Sequence, residues 1–491
     1  MSAPRDPCRR IVVVGGGPLG LLAAIALRQT LPLGQIVLIG QQPSPASFAD
    51  WSPTALPFTN KFHDRLGIEE SEIVLKAGGS YRLISRYAGW NGGTSHGTLP
   101  YGDVLAPELK TAFARDWGGG RHVGFDAAIN GSINEALAEA ERFAPPPPDH
   151  RTPISDIDYS LRWNPSAYRN LLIAKAQALQ VHYIDGTVEN VQFGESANIR
   201  SIVISGQGPI EADLFVDCSG PAATILASHP DFALVDWSKS LPTRTVYLAK
   251  PANPEIALAD DVSLLRHGWQ TRIMGRDAVY ITIGVGEGVS RDLALEKLEA
   301  PAVAAISLTP GRAREPWLGN VVALGDASAR FEPLGPYHLD LAHRQLDLLI
   351  EMLPGREVEA LERAEYNRRS VLMMEGVHET LAFHFASSAA QGIFGECAAP
   401  GRVAQVIDQF ERRGRIPFRE ELPLSSQEQF ALLRALGFEP GLPPAAHTAN
   451  VSAEVHAKAE FAASVREALE YAPPYAKWLA SIIRQSREKR G

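Results

Sequence analysis

Glycines spaced to cradle phosphate, and an arginine set among aromatics, are the residue types in this chain that could do chemistry. Gly15, Gly17 and Gly20 stand in "VVVGGGPLGLLAAIAL" with the spacing G-x-G-x-x-G, and Pro18 and Leu19 fall inside it. In such a turn the first glycine permits the bend. The second lets backbone approach a diphosphate, and the third lets the following helix pack on the strand. The helix beyond offers free N–H groups and a partial positive charge to the phosphates. The acid that usually ends the second strand and binds a ribose is missing; the strand runs into Gly40, Gln41 and Gln42. Gln41 can bond a ribose hydroxyl, and the lack of an arginine there disfavours a 2′-phosphate. In "AGGSYRLISRYAGW" the candidate is Arg82. A guanidinium stays protonated and offers a planar fork to an anion. Three roles stand open for Arg82: anchor for an anion or substrate, member of a structural ion pair, or activator of an electrophile.

The elements that must hold these groups are readable from periodicity. A β-branched run over 11–14, a helix over 19–29 that is apolar all round, and a strand over 36–39 make a strand–turn–helix–strand unit. "NPSAYRNLLIAKAQALQ" reads as a helix with Asn164 as N-cap and Pro165 in its first turn. "VHYIDGTVENVQF", "IRSIVISG" and "EADLFVDC" read as a strand meander, with Val188 near the nucleotide end. "TRTVYLAK", "TRIMGR" and "AVYITIGVG" read as strands of a second, antiparallel sheet. "APPPPDHRTP" and the glycine run 118–120 read as connecting segments, and beyond 338 the pattern is helical. The expected division is a nucleotide module (1–45, 165–235 and 315–350), a substrate-side sheet with loops (46–164 and 236–314), and a helical region over 351–491.

Composition narrows the class. The 491 residues carry a net charge of −9 with both signs interspersed, which argues against nucleic acid as a partner. Cys8, Cys218 and Cys397 are too few and too far apart for a disulfide framework or a zinc site, which suits a cytoplasmic protein. No stretch approaches the ~18 apolar residues of a membrane span. No oligomeric state is set by these features, and a homodimer is compatible with them.

"GNVVALGDASARFEPLG", residues 319–335, resembles the second FAD fingerprint of flavoprotein hydroxylases, where an Asp after a strand bonds the ribityl chain. On that likeness Gly325 and Asp326 touch FAD; alone, Asp326 reads equally as a cap on the next helix. "EADLFVDCSGPAATIL" resembles the segment that returns such chains to the nucleotide domain. No second glycine-turn unit follows, so reduced flavin is expected from a separate reductase. More broadly, the chain resembles the flavin-dependent tryptophan halogenases. "GNVVALGDASARFEPL" is similar to that family's G-N-x-V-A-x-G-x-A-x-G-F-x-E-P-L. "LGIEESEIVLKAGGSYRLISRYAGW" is similar to its L-G-I-x-E-x-x-x-L followed by T-F-K-x-x-x-R-F-x-x-W. "AEYNRRSVLMMEGVHETLAFHF" is similar to its Y-N-x-x-M helix. The resemblance implies an α/β fold: a glutathione-reductase-like FAD-binding domain interleaved with a second antiparallel sheet, plus a C-terminal helical region. It also implies chemistry in which reduced FAD and oxygen oxidise a halide, and an essential lysine with a nearby glutamate directs it at an indole.

The sequence departs from that pattern where the chemistry lies. Arg82 stands on the lysine. After E-P-L the family reads E-S-T-G-I, whereas this chain reads "GPYHL", with Leu334 and Gly335 resembling the loop that lies against a hydroxylase flavin, and Tyr337 beyond. The family's G-W-x-W-x-I-P becomes "GWQTRIMG": Trp269 stays as a candidate substrate contact, Thr271 replaces the second tryptophan, and Met274 the proline. The strap G-x-G-E-x-T becomes "FADWSPTALP". Tyr101 in "LPYG" keeps the ring expected to stack on an indole, or else is a core tyrosine. His338 and His343 read as surface or capping residues. The expectation is therefore an FAD-dependent oxidoreductase acting with O2 on an indole- or phenol-like substrate, oxygen transfer or oxidation first. Halogenation by an altered site, and a flavin-binding protein without turnover, are the alternatives.

Overall fold

The computed structural model describes residues 6–488 except 94–95, 103–130 (of which only Leu109 and Phe113 are described), 195–196, 297, 299–300 and 443–450. The glycine run 118–120 lies outside the described residues.

The strand Arg10–Val14 is buried along nearly its whole length because parallel strands flank it on both sides: Gln35–Ile39 and Leu214–Asp217. The sheet has six strands, in the order Trp317–Leu318, Val321–Ala323, Leu214–Asp217, Arg10–Val14, Gln35–Ile39, His182–Ile184. The helix Pro18–Thr30 buries every residue from Pro18 to Leu27, which is why its sequence is apolar all round. It packs between the helices Pro165–Ala178 and Tyr337–Glu351. Asn164 caps the former, its side chain accepting from the Ala167 N–H at 2.9 Å. The expected meander divides: His182–Ile184 and Leu214–Asp217 join the parallel sheet, and Val188–Phe193, Ile199–Ile204 and Pro209–Glu211 form a separate antiparallel sheet.

The second sheet has seven strands, in the order Ala302–Ser307, Thr245–Ala249, Val279–Val285, Gly268–Met274, Ala259–Leu265, Ile84–Ala88, Gly97–Pro100. The three strands expected to form it pair antiparallel, and Ile84–Ala88, a strand not expected there, runs parallel to Ala259–Leu265. The chain between those two strands passes through the nucleotide sheet, and such a long crossover is what parallel pairing needs. Helices make up most of the rest: Ala360–Ala386, Ser388–Phe394, Gly401–Arg413, Ser426–Ala435, Val451–Tyr471 and Tyr475–Glu488. No described helix is long and apolar enough to cross a membrane.

Candidate functional site

The glycine turn is built as its spacing demands. Gly15 has φ +141°, and a Cβ there would strike the Cys218 backbone. A Cβ on Gly20 would enter the carbonyl oxygen of Gly15, so the helix can approach the strand only with glycine at that position. Gln41 bridges neighbouring segments: its Oε1 lies 3.4 Å from the Val188 N–H and its Nε2 3.4 Å from Thr224 Oγ1. Arg169 donates to the Gly16 carbonyl at 2.6 Å.

Sequence reasoning overlooked Asp50. This buried carboxylate accepts from the Leu19 N–H at 3.0 Å and packs on Gly17. Burial pushes its carboxyl up to about 7, the Leu19 hydrogen bond opposing. The signal was present in "FADWSPTALP", the stretch that stands where the strap was expected, in which Asp50 is the one acid. Asp326 does not cap the helix that follows it in sequence. Its Oδ2 accepts from the Ala49 N–H at 2.8 Å, and its Oδ1 meets His338 Nδ1 at 2.5 Å. The two acids thus hold the short helix Phe48–Trp51 between them.

Beside this cradle lies a cavity of about 370 Å³. The segment Pro333–His338 lines one part, including Leu334, Gly335 and Tyr337; Arg82, Ser85, Tyr87, Tyr101 and Thr271 line another. Trp51 and Val303, 39% and 64% exposed, also line it, so the cavity opens to solvent. Burial raises the phenols of Tyr87, Tyr101 and Tyr337, so they are neutral.

Arg82 lies in the wall of this cavity at 1% exposure. Its strand Ser80–Arg82 pairs with Ser160–Arg162, with Arg82 opposite Ser160 and Ser80 opposite Arg162. Residues two apart share a face, so both arginines project to one side of the ribbon. There Asp260 receives both: Arg82 Nη1 lies 3.2 Å from Oδ2, and Arg162 Nε 2.9 Å from Oδ1. Asp260 Oδ1 also accepts from the Met274 N–H at 3.1 Å. Arg82 Nε and Nη2 bond Ser160 Oγ at 3.2 and 3.1 Å, Nη2 also bonds the Ala55 carbonyl, and Nη1 reaches Ser85 Oγ at 3.5 Å. Each guanidinium nitrogen therefore has a protein acceptor. Of the three roles open for Arg82, the structure displays the ion pair, with the side chain set in the cavity wall. Tyr101 keeps one ring face against Arg82, whose Cζ is 4.6 Å from the ring centroid, and its hydroxyl meets Ser85 Oγ at 3.0 Å.

Other expectations fail in position. Trp269 does not line the cavity; it is fully buried, donates to Thr243 Oγ1 at 3.0 Å and packs on Gly284. Thr271, two residues on along the same strand, is the one that faces the cavity. His338 and His343 are not surface groups, because the helix Tyr337–Glu351 is buried almost all round. His343 bonds Thr59 Oγ1 at 3.0 Å in the core, whereas His338 stands between Asp326 and the Phe331 carbonyl, its Nε2 3.1 Å from the latter. Sequence reasoning also missed Ser160, Arg162 and Asp260, which only the fold brings to Arg82.

A glycine-turned parallel sheet, with a second sheet walling a cavity beside it, defines an FAD-dependent oxidoreductase fold. The model of the tryptophan halogenase family matches residues 10–448, and the chain belongs to that family. Tryptophan 7-halogenase RebH of Lentzea aerocolonigenes is 23% identical over 414 residues, spanning 77% of this chain and 76% of the relative. Tryptophan 6-halogenase SttH of Streptomyces toxytricini is 23% identical over 432 residues, spanning 77% of this chain and 78% of the relative. Among solved structures, BrvH, a flavin-dependent halogenase from Brevundimonas sp. BAL3, shares the fold with a TM-score of 0.86 and 22% identity, over 97% of this chain and 99% of that one. The activity named for these relatives is halogenation.

Proposed function

We propose that the protein uses reduced FAD, delivered by a separate flavin reductase, and O2 to transfer oxygen to a small aromatic substrate in the cavity beside Arg82. FAD supplies the oxygen-activating chemistry when bound. The turn at Gly15, Gly17 and Gly20 with the N-terminus of the helix Pro18–Thr30 would hold its diphosphate. Gln41 and Val188 would meet its ribose end, Gly325 and Asp326 its ribityl chain, and Leu334 and Gly335 its ring. Tyr101 and Tyr337 line the cavity from the Arg82 side and from the loop side, and would shape the substrate position between them.

The observation that carries the proposal is the state of Arg82. A lysine amine can deprotonate and handle hypohalous acid; a guanidinium with a pKa above ~12 cannot. Here the guanidinium is also committed on every nitrogen to Ser160, Asp260, Ser85 and Ala55. The loop after Pro333 carries glycine, proline and tyrosine where a halogenase pattern has glutamate, serine and threonine. Loop and Arg82 face one cavity, so oxygen can pass to substrate without a relay residue. Halogenation is the second reading, favoured by the named activity of the relatives.

The test is incubation of the FAD-loaded protein with a flavin reductase, NADH, bromide and an indole or phenol panel, followed by mass spectrometry. Oxygenated product without bromination is expected. Brominated product as the main species would overturn the proposal.

A further inference from the structure

The wall of the cavity, taken with the layer directly behind it, carries more positive than negative charge, because Arg162 stands behind the lining pair Arg82 and Asp260. Arg82 and Arg162 share one carboxylate, Asp260, and all three side chains are 1% exposed. Their remaining acceptors are neutral: Ser160 Oγ, Ser85 Oγ and the carbonyls of Ala55, Tyr81, Ala257 and Ala259. Two guanidiniums against one carboxylate leave a net charge of +1 in a site shielded from water. Two other carboxylates in this region, Asp261 and Glu428, are held by partners of their own. Asp261 turns to Arg86 at 4.0 Å, and both are part-exposed. Glu428 accepts from the Ser425 and Gly102 N–H groups at 2.7 and 3.1 Å and lines a separate groove. Among the described residues lining the cavity, Asp260 is the only acid. A buried charge without its counter-charge is costly, so a ligand that brings a negative charge is favoured there.

The hydroxyls at the same wall indicate which anion. Arg82 donates to Ser85 Oγ, and Ser85 Oγ meets the Tyr101 hydroxyl at 3.0 Å. With Ser85 donating onward, the Tyr101 O–H is left to donate elsewhere. Thr54 precedes Ala55, whose carbonyl binds Arg82. Thr54 lines the cavity, and its Oγ1 is buried with no hydrogen-bond partner among the described residues. Two hydroxyl donors suit a single oxyanion. A carboxylate prefers the two-pronged donation of a free guanidinium, and Arg82 has no nitrogen left to give it.

We propose that the cavity takes a phenol and holds it as the phenolate, its oxygen accepting from Tyr101 and Thr54 and its charge balancing Arg82. This deepens the reading above, on which it rests for the identity of the cavity as the substrate site. On binding, the O–H bond of the phenol breaks and its proton passes to solvent. The ring keeps both electrons and becomes richer at the ortho and para carbons, where an oxygen electrophile attacks. The other titratable groups at the cavity do not compete. Burial raises the Tyr87, Tyr280 and Tyr337 phenols, so they stay neutral, and His338 is occupied by Asp326 and the Phe331 carbonyl.

The test uses para-nitrophenol, whose anion is yellow, titrated into the oxidised, FAD-loaded protein across its own ionisation range and read as a difference spectrum. Bound ligand should show the anion band with its apparent pKa lowered by about one unit or more, a preference of about tenfold for the anion. Tyr101→Phe, a conservative change, should remove much of that shift, Thr54→Val part of it, and Arg82→Met nearly all. Para-nitroanisole, which cannot ionise, should bind at least about tenfold more weakly. A colourless bound ligand below its solution pKa would overturn the proposal. So would equal binding of the anisole, or an unchanged anion band in Tyr101→Phe. None of these readouts requires turnover. A protein that holds the phenolate yet transfers no oxygen would leave this inference standing and refute the proposed function alone.

Discussion

Replacing Asp260 by asparagine should expose how much of the second sheet depends on one carboxylate. In the native protein Asp260 accepts from Arg82 at 3.2 Å and from the Met274 N–H at 3.1 Å, and forms an ion pair with Arg162 at 2.9 Å. The Asp260→Asn side chain would keep the shape and one acceptor oxygen but no charge, leaving two buried guanidiniums without a counter-ion. Breaking a buried ion pair in this way costs ~3–5 kcal/mol. Arg82 and Arg162 retain serine and carbonyl acceptors, so the lower end, about 3 kcal/mol, is expected. An unfolding entropy of ~2.1 cal/mol/K per residue gives about 1 kcal/mol/K for a chain of 491 residues, hence a fall in Tm of about 3 °C. Scanning calorimetry and urea unfolding would measure it, and FAD binding should persist because the glycine cradle stands on the other sheet. Adding Arg82→Met to Asp260→Asn should recover part of the loss, because one unpaired charge then disappears. A change within about 0.5 kcal/mol, the range of ordinary surface substitutions, would refute the argument.

Gly20→Ala should yield a colourless protein that fails to retain FAD on gel filtration, because its Cβ would enter the Gly15 carbonyl. Asp50 should make the FAD-free protein lose stability as pH rises from about 4 to about 7: its folded carboxyl holds a proton up to about 7, whereas the unfolded one releases it near the ordinary aspartate value of 3.8. Asp50→Asn should therefore be stabilising at pH 8 relative to pH 4, measured by urea unfolding of both proteins. Burial lowers His63 to about 3 and His384 to about 4, so both stay neutral in the fold while the unfolded chain takes up protons. As pH falls below about 6.5, each should remove up to about 1.4 kcal/mol of stability per pH unit, and His384→Gln should flatten that fall. Arg82→Lys should produce no bromination in a reductase-coupled assay, since the loop after Pro333 still lacks the glutamate.

The nucleotide cradle was legible in the sequence because its determinants are local. The three motif glycines, Gly15, Gly17 and Gly20, between a β-branched run and an apolar helix, fix the turn wherever the rest of the chain goes. The surroundings of Arg82 were not legible, because Ser160 and Asp260 lie 78 and 178 positions away and meet it only through pairing of distant strands. The parallel placement of Ile84–Ala88 beside Ala259–Leu265 has the same origin. Trp269 and Thr271 lie on one strand, and motif position alone could not say which of them faces the cavity. His338 and His343 looked like surface residues because their helix carries polar groups on every side, and only the packing of both faces buries them. Asp50 was visible as a residue, but its contact with the glycine turn depends on how the strap folds back across it.

The central claim is that oxygen, not halide, reaches the substrate in the cavity bounded by Arg82 and the loop at Gly335. Isotope-labelled O2, supplied to the FAD-loaded protein with NADH, a flavin reductase, bromide and a phenol, tests it in one mass spectrum. The predicted product carries one labelled oxygen atom on the ring and no bromine. A brominated ring with no labelled oxygen would contradict the account.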